Sequence, residues 1–286
     1  AGHWTSGMAI GAGGARRYRL YSPPDVEPGE HLPLLVMLHG CGQDATSFAA
    51  STRMNAVARR ERFMVLYPEQ DHLANQQGCW NWFATRSGRA YGEAELIMKA
   101  VDQVCLHDRA DPTRVAIAGL SAGASMAALL VTRHPDRFKA LVMHSGIPPG
   151  TAHSTLTALG AMHGHRPTLP LVVNALSMQA DWPPLLVIHG DADTVVAPRN
   201  GLAAAQVWAH AAGARAIAVR SVQRGKRYPM AVTDFRRKGT TVATLVTIDG
   251  LAHAWSGGLA SKPFGDGLGP DASRMTWAFA ARQFHA

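Results

Sequence analysis

Four short apolar runs constrain the fold of this chain more than any other feature. They occupy residues 33–38 (PLLVML), 114–118 (RVAIA), 138–144 (FKALVMH) and 185–189 (LLVIH), and longer segments of helical period separate them. Runs of strand length that do not alternate with polar residues are typical of strands buried on both faces. The chain is therefore predicted to adopt an α/β fold, with a mostly parallel central sheet and helices on both faces.

The remaining periodicity predicts further elements around these strands. We expect an antiparallel edge strand at 16–22, further strands at 62–67, near 216–222 and at 243–248, and helices at 47–62, 91–107, 122–133, 198–212 and 271–285. Asp271 and Ser273 are both suited to cap the last helix, and Pro198 suits a first helical turn. Parallel strands bring their carboxyl ends to one edge, so the irregular segments 146–183 and 255–270 are predicted to be loops over a site there.

Composition favours one globular unit. The chain has 286 residues, of which 47% are hydrophobic and 17% charged, and no apolar run approaches the roughly 20 residues that a membrane span needs. We expect a single domain over residues 1–286. The formal net charge is +8, but the arginines are scattered, apart from clusters at 224–227 and 236–238. This pattern predicts a solvated basic surface rather than a nucleic-acid site.

The nucleophile is predicted from a short motif. Gly119-Leu120-Ser121-Ala122-Gly123 follows one of the apolar strands and opens a helical run. A G-x-S-x-G sequence at such a position predicts a nucleophile elbow, in which small neighbours let strand and helix approach and the serine lies on a strained turn. Ser121 is therefore the predicted nucleophile of a serine hydrolase of the α/β-hydrolase kind.

Two backbone amides are predicted to form the oxyanion hole. Acyl transfer needs donors where negative charge develops, one from the residue after the nucleophile and one from the loop after an early strand. The first is Ala122. The second is Cys41, because the loop His39-Gly40-Cys41-Gly42-Gln43 directly follows PLLVML and its glycines give the backbone freedom to aim that amide.

The acid and the base are expected later in the chain, in the order Ser, Asp, His. Asp191 and Asp193 both follow the strand LLVIH, and Asp193 lies better placed to reach an imidazole. His253 follows the last strand, whereas His285 lies near the end of the final helix. We therefore predict that His253 exchanges protons with Ser121 and that Asp193 orients the imidazole.

No metal or cofactor is expected. His153, His163 and His165 lie in an irregular region without the accompanying Cys or carboxylate pattern of a zinc site. Of the three cysteines, Cys105 falls in a helical pattern as a small buried residue. Cys41 and Cys79 each lie in a glycine-containing loop, so a disulfide between them is open on the residues alone.

Five motifs together resemble those of polyhydroxybutyrate depolymerase-type esterases, to which feruloyl and acetylxylan esterases are related. They are HGCGQ (39–43), GCWNWF (78–83), GLSAG (119–123), HGDAD (189–193) and GLAHAWSGG (250–258), within a resemblance that extends from about residue 16 to 285. The resemblance implies an α/β-hydrolase fold, the triad Ser121, Asp193 and His253, and a Cys41 amide in the oxyanion hole. It also implies a Cys41–Cys79 disulfide that pins the oxyanion loop.

The substrate site is predicted less sharply. Gln43, Trp80, Trp82, Phe83 and Trp255 are candidates for the substrate pocket, and packing of the loops is the alternative for the aromatic residues. Trp255 is favoured as a pocket residue because it is close to His253 in sequence. Secreted polymer-degrading members of the family carry a separate substrate-binding domain, which we do not expect here, so soluble oligomers or small esters are favoured over solid polyester.

These observations predict a serine esterase that acts through an acyl-enzyme on 3-hydroxybutyrate oligomers or short-chain esters. The alternatives are a feruloyl or acetylxylan esterase and, from another class, a binding protein that keeps the fold without catalysis. The expected partner is a small ester or polyester oligomer, with no nucleic acid and no membrane span. An extracellular or periplasmic location is expected, since a disulfide suits an oxidising compartment.

Overall fold

The computed structural model describes residues 1–165 and 181–286. Its strands are β1 (His3–Gly11), β2 (Gly14–Ser22), β3 (Leu32–Leu38), β4 (Met64–Pro68), β5 (Ala110–Leu120), β6 (Ala140–His144), β7 (Leu185–Gly190), β8 (Arg215–Ala216), β9 (Arg220–Val222), β10 (Met230–Arg237) and β11 (Thr240–Ile248). These strands form one sheet in the order β1-β2-β4-β3-β5-β6-β7-β11-β10-β8, and β9 pairs with β10. Two further short strands, β12 (Trp255–Ser256) and β13 (Gly265–Asp266), pair with each other.

The centre of the sheet is parallel. Strands β4, β3, β5, β6, β7 and β11 run in one direction, while β1, β2 and β10 add antiparallel flanks. The carboxyl ends of the parallel strands therefore meet at one edge, where the loops that follow β3, β5, β7 and β11 converge.

The helices cover both faces of this sheet. They are α1 (Ala45–Thr52), α2 (Met54–Glu61), α3 (Arg89–His107), α4 (Ala122–Arg133), α5 (Thr155–Met162), α6 (Arg199–Ala212) and α7 (Ala272–Phe284). Strand β3 shows the two cores directly. Leu34 and Val36 pack in the core with α3, α4 and α6, whereas Leu35 and Met37 pack in the core with α1, α2 and α7. Within the described ranges, none of the helices has the length and apolar content needed to cross a bilayer.

The amino-terminal part differs from prediction in two places. The predicted helix 47–62 is two helices, because Arg53 adopts a left-handed conformation with φ of 55° and its guanidinium donates to the Gly257 carbonyl at 2.6 Å. The predicted edge strand 16–22 lies inside the sheet, because β1 pairs along its outer side. Strand β1 buries Ala9 but exposes Ile10, so it lacks a continuous apolar run that would have identified it.

The carboxyl-terminal part has more strands than predicted. The segment near 216–222 contains two short strands, and the hairpin of β10 and β11 turns at Lys238 and Gly239. The basic clusters at 224–227 and 236–238 lie in and beside the turns that flank β10 and are mostly exposed. The irregular segment 146–183 contains α5, and its residues 166–180 lie outside the described part.

Helix α7 begins with a side-chain cap that can be tested. The Asp271 carboxylate accepts a hydrogen bond from the Arg274 amide at 3.0 Å, whereas Ser273 is buried within the helix. We expect Asp271→Ala to lower the free energy of unfolding by about 1 kcal/mol, because the first turn loses its acceptor. Asp271→Asn keeps an acceptor and serves as the matched control. Urea unfolding measures both, and equal stability of Asp271→Ala and the wild type would contradict the cap.

Candidate active site

Ser121 lies on a strained turn between β5 and α4. Its φ of 57° and ψ of −121° fall in a region that residues with a side chain rarely adopt. The turn exists because three backbone segments touch. A Cβ on Gly119 would lie 2.3 Å from the Gly123 carbonyl, and one on Gly123 would lie 2.1 Å from the Leu38 carbonyl oxygen. Only glycine fits at both positions, and the resulting turn presents Ser121 at the carboxyl edge of the sheet.

The predicted acid and base lie in hydrogen-bond contact with Ser121. The Ser121 hydroxyl is 3.0 Å from His253 Nε2, and His253 Nδ1 is 2.8 Å from Asp193 Oδ2. Because a carboxylate can only accept, Nδ1 carries the proton and Nε2 presents its lone pair to the hydroxyl. This arrangement can remove the proton from Ser121 when it attacks a carbonyl.

Asp191 and Asp193 have different surroundings. Asp193 is buried, and its Oδ1 accepts the amides of Val195 and Val196 at 2.9 and 2.8 Å. Asp191 is exposed, and its carboxylate accepts the Gly250 amide at 2.8 Å, which joins the turn after β7 to the loop that leads to His253. The structure therefore places Asp193 in contact with the imidazole of His253, whereas Asp191 connects the turn after β7 to the loop before His253.

Asp193 is held ionised by its donors. Burial alone would raise the pKa of this carboxyl, but hydrogen bonds from His189, His253 and the Val196 amide outweigh burial and hold the pKa well below its usual range. Asp193 therefore carries its negative charge throughout the neutral range and can offset a positive charge on His253.

His189 is a contact of Asp193 that the sequence reasoning missed. This fully buried residue of β7 places Nε2 2.9 Å from the Val196 carbonyl oxygen and 3.3 Å from Asp193 Oδ2. A carbonyl only accepts, so Nε2 carries the proton and faces the same oxygen that His253 contacts. Its Nδ1 has no hydrogen-bond partner in the described ranges. The signal for this residue was the His of HGDAD, at the end of an apolar strand.

A second buried histidine supports the segment that follows His253. His144, at the end of β6, stacks on Trp255 with ring centroids 4.8 Å apart, and its Nε2 accepts the Ser256 amide at 3.1 Å. Burial, with smaller contributions from His189 and His253, lowers the pKa of His144 to about 3, so the ring stays neutral and remains an acceptor. Trp255 is itself fully buried and donates to Ser273. Its predicted place in the substrate pocket is therefore wrong, because it packs behind the site.

The loop after β3 leaves one amide free beside Ser121. The Gly40 amide donates to the Gln43 side chain at 2.9 Å, and the Gly42 amide donates to the Gln77 carbonyl at 2.8 Å. In the part of the chain that the structure describes, the amides of Cys41 and Ala122 donate to no other residue. Both residues line the cleft that contains Ser121. The two predicted oxyanion donors thus remain available to a ligand.

Cys41 and Cys79 form the disulfide that the resemblance implies, with their Cα atoms 4.2 Å apart. The bridge joins the oxyanion loop to the segment that forms one wall of the cleft. Cys105 is a free thiol, and burial raises its pKa to about 11, which keeps it protonated and unreactive.

The cleft has a volume of about 1480 Å³ and two walls. Residues within the segment 71–93 line one wall, residues within 153–162 together with Val196 line the other, and Ser121 lines the same cleft. Trp82 and Phe83 line the cleft as predicted candidates. Trp80 does not, because it is fully buried with its ring centroid 5.3 Å from that of His39. Gln43 does not either, because its buried side chain is used to shape the oxyanion loop.

A buried polar network holds the first wall. Glu93 accepts from the Arg16 guanidinium at 3.0 Å, from the Asn81 amide at 2.7 Å and from the Gln70 side chain. The Gln70 side chain also donates to the Cys79 carbonyl at 2.9 Å. Arg16, Gln70 and Glu93 are distant in sequence and lie outside the five motifs, whereas Asn81 belongs to GCWNWF. The network connects the wall to β2, to the segment after β4 and to α3, and so fixes its position beside the loop after β3.

Comparison with known proteins adds a family match. The sequence model of the family described as "Esterase PHB depolymerase" matches residues 16–223. Poly(3-hydroxyalkanoate) depolymerase C from Paucimonas lemoignei is 34% identical over 175 residues, which cover 59% of this chain and 42% of that protein. Feruloyl esterase B from Neurospora crassa is 26% identical over 197 residues, which cover 63% of this chain and 65% of that protein. Each match spans less than two thirds of the relative's own length.

Comparison with solved structures concerns the fold. An acetyl xylan esterase from Aspergillus awamori superposes with a TM-score of 0.68 at 17% identity, covering 87% of this chain and 94% of that one. Together with the mostly parallel sheet between two helical layers, this likeness confirms the predicted α/β-hydrolase fold.

The contact between His189 and Asp193 leads to a prediction. His189→Leu removes an N–H donor from a buried carboxylate, so we expect kcat for a short p-nitrophenyl ester to fall about 10-fold with little change in KM. His189→Gln places an amide donor near the position of Nε2 and should restore most of the activity.

The pH dependence of kcat/KM in His189→Leu distinguishes two effects, loss of a hydrogen-bond donor to Asp193 and movement of the turn that carries Asp193. With one donor fewer, Asp193 attracts a protonated His253 more strongly, so the acid limb of kcat/KM should move to higher pH in His189→Leu. His144, the other titratable group beside the triad, stays neutral and leaves this direction unchanged. A limb that moves to lower pH would instead mean that the turn carrying Asp193 had moved away from His253.

Proposed function

Since this chain belongs to the esterase PHB depolymerase family, we propose that it hydrolyses carboxylic esters through an acyl-enzyme formed on Ser121. The observation that supports this proposal best is the continuous hydrogen-bond chain from the Ser121 hydroxyl through His253 to Asp193. The free amides of Cys41 and Ala122 beside the same serine support it further.

In the proposed first half-reaction, Ser121 Oγ attacks the ester carbonyl carbon while His253 Nε2 accepts the hydroxyl proton. The carbonyl oxygen becomes an oxyanion that accepts hydrogen bonds from the two free amides. His253 then gives its proton to the departing alcohol, which leaves an acyl group on Ser121. In the second half-reaction His253 activates water, and attack on the acyl carbon releases the acid and regenerates the serine.

For the substrate, we propose soluble 3-hydroxybutyrate oligomers or short-chain esters. The family match and the similarity to the Paucimonas lemoignei depolymerase favour this class. The similarity to a protein named feruloyl esterase B supports a second candidate, an esterase of plant polysaccharide. Turnover of hydroxybutyrate oligomers beside feruloylated and acetylated xylan distinguishes the two. For the location, we propose an oxidising compartment outside the cytoplasm, which the disulfide supports.

The first test removes the nucleophile. Ser121→Ala should lower kcat for p-nitrophenyl butyrate by at least about 10³-fold, because no acyl-enzyme can form. Its unfolding midpoint should stay close to that of the wild type, because the side-chain contact that alanine loses is one partly buried hydrogen bond to His253. Labelling of the wild type, but not of the variant, by a fluorophosphonate probe checks the same residue independently. Undiminished turnover by the variant would contradict an acyl-enzyme on Ser121, and no labelling of the wild type would favour a binding protein without catalysis.

The second test compares the two neighbouring aspartates. Asp193→Asn should lower kcat by about 10⁴-fold, because the amide can present its N–H to the imidazole and favour the wrong tautomer. Asp191→Asn keeps an acceptor for the Gly250 amide and is the matched control. Steady-state kinetics on the same ester measure both. Equal losses in the two variants would contradict the assignment of Asp193.

A further inference from the structure

The two walls of the cleft differ in charge. Arg16, Asp71, Arg86, Arg89 and Glu93 all belong to the wall at residues 71–93 or its base. The opposite wall presents mainly apolar side chains, and His153 is its titratable member among the described lining residues. The cleft that contains Ser121 is therefore lined by one group of residues that includes charged side chains and by another that is mainly apolar.

Two of the five charged groups are already satisfied. Arg16 and Glu93 are buried and paired at 3.0 Å, and the Glu93 carboxylate also accepts from Asn81 and Gln70. This buried pair has no net charge, and both oxygens of its carboxylate accept hydrogen bonds, so it supports the wall rather than a ligand. The remaining negative group, Asp71, accepts the Leu73 amide at 2.8 Å within its own turn.

Arg86 and Arg89 are different, because both are exposed and neither forms an ion pair within the described ranges. Arg89 makes only a long contact, 3.5 Å, to the Ala74 carbonyl. A guanidinium presents several donors in a planar fork that matches the two oxygens of a carboxylate. Both residues line the cleft that contains Ser121.

We propose that Arg86 and Arg89 bind the terminal carboxylate of an oligoester of hydroxy acids. The inference rests on the proposed ester hydrolysis at Ser121. Such an oligomer has a hydroxyl end and a carboxylate end, and the carboxylate belongs to the alcohol that leaves when an ester bond is cut. Its alcohol portion would lie along the arginine wall, and its acyl portion would lie against Ala158, Leu159 and Ile147. Hydrolysis would then release a short hydroxy acid from the carboxylate end.

The experiment compares free acids with their methyl esters. The wild type should hydrolyse the free-acid dimer, trimer or tetramer of 3-hydroxybutyrate with a kcat/KM about 2- to 10-fold above that of the matching methyl ester, mainly through KM, as expected for exposed ion pairs. The preference should be greatest at one chain length, because the carboxylate has to reach the guanidinium groups. Raising the salt concentration should reduce it.

Arg86→Gln/Arg89→Gln should remove this preference and leave the methyl esters and p-nitrophenyl butyrate unaffected. Arg59→Gln/Arg60→Gln, on the helical layer away from the cleft, changes the net charge equally and should retain it. Equal rates for acids and methyl esters in the wild type, or a preference that survives in the cleft variant, overturn the subsite while ester hydrolysis stands. Failure of the wild type to hydrolyse any ester overturns the proposed function and the subsite with it.

Discussion

The close approach of β5, α4 and β3 is the contact on which the rest of the site depends. With no side chain at Gly119 or Gly123, the first turn of α4 presses against the end of β3, where a Cβ on Gly123 would also meet the His39 carbonyl oxygen at 2.5 Å. This contact forces the strained backbone at Ser121. It also brings the first amide of α4 beside the loop that carries Cys41, so one packing contact positions the proposed nucleophile and the two free amides proposed as oxyanion donors.

Buried histidines at strand ends join this centre to its loops. His39 Nε2 accepts the Gln70 amide at 3.0 Å, His144 Nε2 accepts the Ser256 amide, and His189 Nε2 donates to the Val196 carbonyl. Burial lowers the pKa of His39, as it does that of His144, which keeps both rings available as acceptors. Each ring satisfies a backbone group that would otherwise be buried without a partner, and each holds a segment of the site at fixed distance from the sheet.

The parts of this arrangement that were predictable are those with a local cause. A strand buried on both faces shows as an unbroken apolar run, and an elbow shows as glycines around Ser121, so the parallel sheet and the order of Ser121, Asp193 and His253 followed from short segments. Strand β1, the break at Arg53 and the positions of Trp80 and Trp255 depend on neighbours far away in sequence. An exposed strand and a buried loop tryptophan have no periodic signature, since tertiary contacts decide both.

Chemistry and selectivity are built from different kinds of contact. The proposed triad and oxyanion loop depend on close backbone approaches and buried hydrogen bonds, which tolerate little change because a misplaced donor would lose transition-state stabilisation. The cleft walls instead present side chains such as Phe83, Arg86 and Leu159 from a loop and a short helix, and the buried Glu93 network fixes the backbone beneath the first wall. Because this network fixes the backbone of the first wall, exposed side chains of that wall can be substituted without moving Ser121. In the proposed reaction, the walls would therefore decide which class of ester reaches Ser121, and the groups at the sheet edge would carry out the cleavage.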